Sequence, residues 1–170
     1  MEMLKVVLTS HKNSSNTDLK KIIELKNLHW NYSYQQHLDW INKNIDSNDY
    51  HLRIENANDE VIAYLNLVEI LVSFENATQE SYLGIGNVCV DNHFKGKGLG
   101  LFLMQTANYF LKQLGRKGAL ICKPQLHEFY SKSNWIKFDG KWSINSYEIN
   151  ANIYFLESIK SNELKINKNF

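Results

Sequence analysis

Apolar residues recur at three- and four-residue steps in three long stretches of the chain, and alternate or run together in the others. Leu19, Ile22, Ile23 and Leu25 share one stripe, which predicts a helix over 18–28 with Asn16 or Thr17 as its cap. Tyr34, Leu38, Ile41 and Ile45 predict a second over 34–45. Leu99, Phe102, Leu103, Met104, Ala107, Phe110, Leu111 and Leu114 mark a third over 98–114, closed by Gly115 in the usual C′ manner. A short fourth is read over 125–133. Strands are read at 3–8, Tyr50–Glu55, 61–72, 82–91, 119–122 and 135–138, and within 143–156. The polar turn at 56–59 makes a hairpin of two of them. The order is β-α-α-β-β-β-α-β-α-β-β, with a parallel crossover from 82 to 122. Residues 1–157 read as one domain of mixed α/β class, and the polar tail 158–170 is expected to fray.

Composition changes this picture little. The 170 residues are 44% hydrophobic and 12% aromatic, which suits a packed core and excludes a disordered chain. Nineteen Lys and Arg face eighteen Asp and Glu, so no nucleic-acid or membrane partner is indicated by charge. No apolar run reaches the ~18 residues of a membrane-spanning helix. Residues 1–10 lack a secretory pattern, so the expectation is a reducing, cytoplasmic setting with Cys89 and Cys122 free and no metal.

The glycines are more informative. Three of only eight, Gly96, Gly98 and Gly100, fall together where the strand 82–91 gives way to the third helix, with Lys95 and Lys97 between and before them. Glycines let a backbone approach a ligand, and the amides of a helix start attract anions. A pyrophosphate suits this combination. Gly98 is followed by Leu99, so it is not a Walker A loop. The spacing also lacks the third glycine of a dinucleotide fingerprint.

The segment Lys95-Gly96-Lys97-Gly98-Leu99-Gly100 resembles the acyl-CoA pyrophosphate loop of the GNAT N-acetyltransferase superfamily, with Lys95 at the usual Gln/Arg position. A second match lies downstream, where Phe129-Tyr130-Ser131-Lys132-Ser133-Asn134-Trp135 is similar to the family's Phe-Tyr-x-x-x-Gly-Phe signature. The resemblance covers nearly the whole chain. It implies a twisted mixed sheet with helices on both faces, and acetyl-CoA as co-substrate. It implies that main-chain groups of Val88 and Val90 pair with the pantetheine arm, as in strand addition. Direct attack by an amine, with Tyr130 protonating the departing thiolate, is the implied chemistry. The competing reading of Tyr130 is a packing tyrosine. A homodimer through the C-terminal strands is common in the family.

Acceptor and base are less constrained. Alternation along 61–72 puts Glu69 on a face with Leu65, Leu67 and Leu71, where burial raises a carboxyl pKa and suits a base; equally, it reads as an edge residue reaching water. His51, His127, Glu128 and Asp91 are other candidates, and a water chain is a further one. Trp30, Tyr32 and Trp142 are read either as an acceptor pocket or as core aromatics. The reading that results is transfer of acetyl to a primary amine of a small molecule, with a peptide or protein amine as the alternative acceptor. Its rival is a silent acyl-CoA-binding or sensing module.

Overall fold

The computed structural model describes residues 3–145 and 149–170. Its elements in chain order are β1 (Lys5–Ser10), α1 (Asn16–Asn27), α2 (Tyr34–Asn44), β2 (Tyr50–Glu55), β3 (Val61–Phe74), β4 (Gln79–Val90), α3 (Leu99–Gln113), β5 (Gly118–Cys122), α4 (His127–Ser131), β6 (Ile136–Lys137), β7 (Lys141–Ile144), β8 (Asn152–Phe155) and β9 (Glu163–Ile166). The mixed α/β class expected from the sequence is present. Part of the strand expected within 143–156 falls on residues 146–148, which lie outside the described residues.

Contacts divide the chain into two units. Met1–Val68 with Gly86–Leu103 form one, and Glu69–Ile85 with Met104–Phe170 form the other. The strands β3 and β4 and the helix α3 each contribute a segment to both.

In the first unit, β1 pairs antiparallel with β2, and β2 with β3. Helix α1 is capped by Ser15 rather than by Asn16 or Thr17. Its hydroxyl accepts from the Asp18 amide at 3.1 Å, and Asp18 accepts from the Ser15 amide at 2.9 Å. This capping box places the first turn two residues earlier than the expected start at 18. Helix α2 starts the same way, on Ser33 and Gln36. A buried ion cluster ties α1 to the strands. The Arg53 guanidinium donates to Asp18 at 2.6 Å and to Glu55 at 2.7 Å.

In the second unit, β4 pairs parallel with β5, and β5 pairs antiparallel with β8. Helix α3 ends in a Schellman cap. Gly115, at φ 63, donates to Lys112, and Arg116 donates to Leu111. The helix buries Leu103, Met104, Ala107 and Leu111, while Phe102 and Leu114 of the expected stripe lie exposed. The tail at 158–170, expected to fray, instead supplies β9. It pairs antiparallel with β3 and parallel with β7. Leu164 and Ile166 alternate inward between Glu163 and Lys165 and reach the core cluster of Ile70, Val72 and Phe155.

Two outcomes follow. Leu164→Ala should cost about 2–4 kcal/mol in urea unfolding, the usual loss for a buried leucine, where a frayed tail would give almost nothing. The second concerns acid. Burial pushes the Asp18 and Glu55 carboxyls up, but Ser15 and Arg53 for the first, and Arg53 and Lys5 for the second, outweigh it and hold both below their ordinary values. Their contribution to stability is therefore complete above the unfolded carboxylate pKa of about 4 and is lost as pH falls through the lower folded values. Arg53→Leu should shrink that acid-side loss, read as unfolding midpoints against pH, because one of the groups that lower both carboxyls is gone while Ser15 and Lys5 remain.

Candidate active site

Strand β4 carries an irregularity that sets up the loop after it. Leu83, in its first half, donates its backbone N–H to Lys117, next to β5. Asp91, just past its end, donates to Ile62 on β3. Both positions are odd, and a regular strand sends all odd amides to one edge. The switch lies at Asn87, whose φ is 53 in the middle of the strand. One left-handed residue reverses the alternation, as in a β-bulge. A non-glycine residue pays about 1–2 kcal/mol for that conformation, and Asn tolerates it best. After the reversal, Val88 and Val90 turn their N–H and C=O groups away from β3. The Gly86-Asn87 pair, a turn-like dipeptide inside an apolar run, was the sequence signal for it.

One of these outward groups already has a partner. The Val90 carbonyl accepts from His29 Nε2 at 2.9 Å, and since a carbonyl only accepts, that nitrogen carries the proton. Burial first, and then the Lys95 charge, holds the His29 ring below its usual pKa and keeps it neutral.

The glycine loop follows. Asp91 caps the short 3₁₀ turn Asn92–Phe94 by accepting from the His93 amide at 2.8 Å. Gly96 and Gly98 then take φ values of 75 and 84, which side-chain-bearing residues rarely adopt. A Cβ at either would meet nothing within 4 Å, so the space above the loop is open. The first helical bond of α3 runs from the Phe102 amide to the Gly98 carbonyl. The amides of Leu99, Gly100 and Leu101 therefore precede the intrahelical ladder, the usual state of a helix start. Lys95 and Lys97 are exposed, and Lys97 Nζ lies 5.6 Å from the centre of the Phe94 ring. A cavity of about 270 Å³ is bounded by Leu4, Phe94, Lys97, Gly98, Leu99 and Phe102. Cationic, amide-rich and partly apolar, it matches a nucleotide diphosphate in chemistry.

The same unit holds a buried polar chain. His51 Nε2 is 2.9 Å from His11 Nδ1, and His51 Nδ1 is 2.8 Å from the Tyr64 hydroxyl. Both ring nitrogens of this base candidate are thus engaged. Burial, then His11 and Arg53, pushes its pKa down to about 3, so the ring is neutral. Burial raises the Cys89 thiol to about 12, which makes it inert as a nucleophile. Trp30 is half-buried and its carbonyl accepts from His37 at 3.2 Å. Tyr32 is 55% exposed.

Tyr130 belongs to the second unit, buried in α4. Burial, followed by Cys122 and Tyr154, lifts its hydroxyl well above the ordinary phenol value. The turn after it is fixed by Asn134 at φ 65, the left-handed position that glycine fills in the family signature. The Asn108 amide holds this turn to α3, donating to the Ser133 carbonyl at 2.8 Å and accepting from the Trp135 indole at 3.0 Å. Beside Tyr130 the Tyr154 ring lies at 6.1 Å, and the Tyr154 hydroxyl is 2.9 Å from His127 Nδ1. Sequence reasoning missed Tyr154, because nothing local marks β8 as chemical.

Glu69 is not in apolar company. Its carboxylate accepts from Arg116 at 2.5 Å and from the Ser81 hydroxyl, and its side chain is 45% exposed. Trp142, on β7, packs against the core cluster of this unit. Glu128 and His127 are exposed. The large cavity of this unit, about 760 Å³, includes Glu80, Glu157 and Lys117 in its wall but not Tyr130, and Lys117 already pairs both carboxylates.

Comparison with known proteins bears on the fold and the family. The sequence model of the Acetyltransferase (GNAT) family matches residues 19–134. No curated protein matches by sequence. Among solved structures, an acyl-CoA N-acyltransferase from Pseudomonas aeruginosa is 18% identical with a TM-score of 0.65, over 90% of this chain and 97% of that one. YhbS of Escherichia coli, a GNAT family N-acetyltransferase in complex with CoA, is 15% identical with a TM-score of 0.66, over 96% and 90%. A variant of the SpeG spermidine N-acetyltransferase from Vibrio cholerae is 18% identical with a TM-score of 0.59, over 88% and 92%. At these identities the structures speak for the fold alone, whereas the family match covers more than half of the sequence: the chain belongs to the GNAT acetyltransferase family.

Proposed function

We propose that this protein transfers an acetyl group from acetyl-CoA to the primary amine of a small molecule, by direct attack in a ternary complex. The observation that carries the reading is β4 itself, which turns Val88 and Val90 outward and then runs into an open glycine loop at a helix start.

When bound, acetyl-CoA supplies an activated thioester. Amides from Gly96 to Gly100 hold its pyrophosphate, with Lys95 and Lys97 adding charge. Val88 and Val90 orient the pantetheine arm by main-chain hydrogen bonds. An N–H of the same stretch polarises the thioester carbonyl and stabilises the oxyanion that forms when the neutral amine attacks. The amine nitrogen gains the acetyl carbon, the C–S bond breaks, and the sulfur leaves as a thiolate.

The family resemblance assigns Tyr130 to that thiolate. Its raised pKa keeps the hydroxyl protonated throughout the neutral range, so a donor is always present. The same shift makes complete transfer to sulfur less favourable, since a thiol of pKa near ~8.5 is the stronger acid. Tyr130 therefore acts first as a hydrogen-bond donor to the developing charge. The Tyr154 ring lies beside it, with its hydroxyl 2.9 Å from His127 Nδ1. The acceptor loses its own proton to water. Glu69 contributes only indirectly, because Arg116 and Ser81 already occupy its carboxylate. Trp30 and Tyr32 suit an acceptor pocket, and Trp142 suits the core. Two buried free cysteines fit a cytoplasmic protein, and a homodimer is the assembly we expect.

Turnover of acetyl-CoA over a panel of amines tests this. Release of CoA with at least one amine is expected, and tight CoA binding without release from any amine means a silent module instead. Tyr130→Phe should lower kcat about 10²-fold with little change in KM for acetyl-CoA. Unaltered turnover removes Tyr130 from the mechanism. Gly98→Val should weaken CoA binding by at least about tenfold, by forcing a branched residue to φ 84 rather than by filling space.

A further inference from the structure

The left-handed residue of β4 is held from the neighbouring strand. Asn87 donates its side-chain N–H to Asn66 Oδ1 at 2.6 Å. Asn66 lies in β3 opposite His51 of β2 and has no solvent exposure. Its own Nδ2 has no hydrogen-bond partner among the described residues. Flipping both amides gives the same result, with one bond between the pair and one polar atom of Asn66 left over. A buried donor without a partner destabilises a fold, and an apolar side chain would leave none. Packing therefore does not account for an asparagine at 66.

What the pair does account for is the backbone of residue 87. Without a left-handed residue, the alternation that sends Leu83 toward Lys117 would continue along β4. Val88 and Val90 would then turn toward β3, and Cys89 and Asp91 outward. A side chain tethered at 2.6 Å to a rigid, buried neighbour restricts residue 87 to the conformation in which the tether is made.

We propose that Asn66 and Asn87 are positioning residues for acyl-CoA: their mutual bond keeps Asn87 left-handed and so keeps Val88 and Val90 presented to the pantetheine arm. The proposal rests on the acyl-CoA reading above. It assigns the two asparagines no contact with the reacting atoms.

The experiment compares two ligands by calorimetry, CoA and adenosine 3′-phosphate 5′-diphosphate, which keeps the pyrophosphate and lacks the arm. Asn66→Val should weaken CoA about tenfold, the loss of one or two hydrogen bonds, and leave the fragment within about twofold. Its melting temperature should equal or exceed that of the parent, because the dry donor is gone. Adding Asn87→Gly to Asn66→Val should recover CoA affinity at least about threefold, since glycine takes positive φ without a tether. Should Asn66→Val fail to fold, Asn87→Ala at the half-buried position gives the same comparison. Unchanged CoA affinity overturns the proposal. So does an equal loss for both ligands with a lower melting temperature, which would make Asn66 a structural residue. If the unsubstituted protein binds neither ligand, the acyl-CoA reading itself fails, and the proposal with it.

Discussion

Backbone hydrogen bonds have to be accounted for along every strand, and β4 answers to two different edges. Its first half is committed to β5, through Leu83 and its parallel register. Its end is committed to β3, through the Asp91 amide. No regular strand meets both demands from residues of the same parity. The left-handed Asn87 reconciles them, at a local cost, and the by-product is a short length of main chain turned away from β3. The glycine loop and the start of α3 follow directly. Binding elements here are mostly backbone, which explains why so few side chains in this stretch look chemical.

Side chains matter more where they hold that backbone. Asp91 caps the turn that opens the loop, His29 satisfies the Val90 carbonyl, and Asn108 fixes the turn after Tyr130. Each is a polar group that satisfies a main-chain atom. They constrain geometry without taking part in bond making. By contrast, the titratable residues that first attract attention are largely occupied. His51 is bonded at both ring nitrogens, and Glu69 is paired with Arg116.

Much of this was legible in the amino-acid sequence, for identifiable reasons. The glycine loop stood out because glycines are few and three fall within five residues. Tyr130 and Asn134 stood out together through the resemblance of 129–135 to the family signature, in which Asn134 takes the place of a glycine, and its φ is 65. Glu69 stood between a buried base and an edge residue reaching water, because β3 is buried on both faces from Val61 to Val68 and on one face afterwards. Period-two alternation groups residues by face but does not say which face meets water. Leu71, on the same side, is itself 40% exposed. The strand β9 was missed because two inward residues in a polar segment give too short a pattern to separate from loop.

That last strand bears on how the protein is made. Leu71 on β3 donates its amide to the Asn167 side chain, 96 residues away, and Phe74 stands opposite Leu164. Until residues 163–167 have left the ribosome, this part of β3 presents an unpaired apolar edge for most of the synthesis time. Such an edge is a template for pairing with another nascent chain. Closing it requires a loop of 96 residues, so it belongs among the late and slow steps of folding. Soluble yield of this protein is therefore expected to depend on translation rate and chaperone supply more than on the stability of the finished fold.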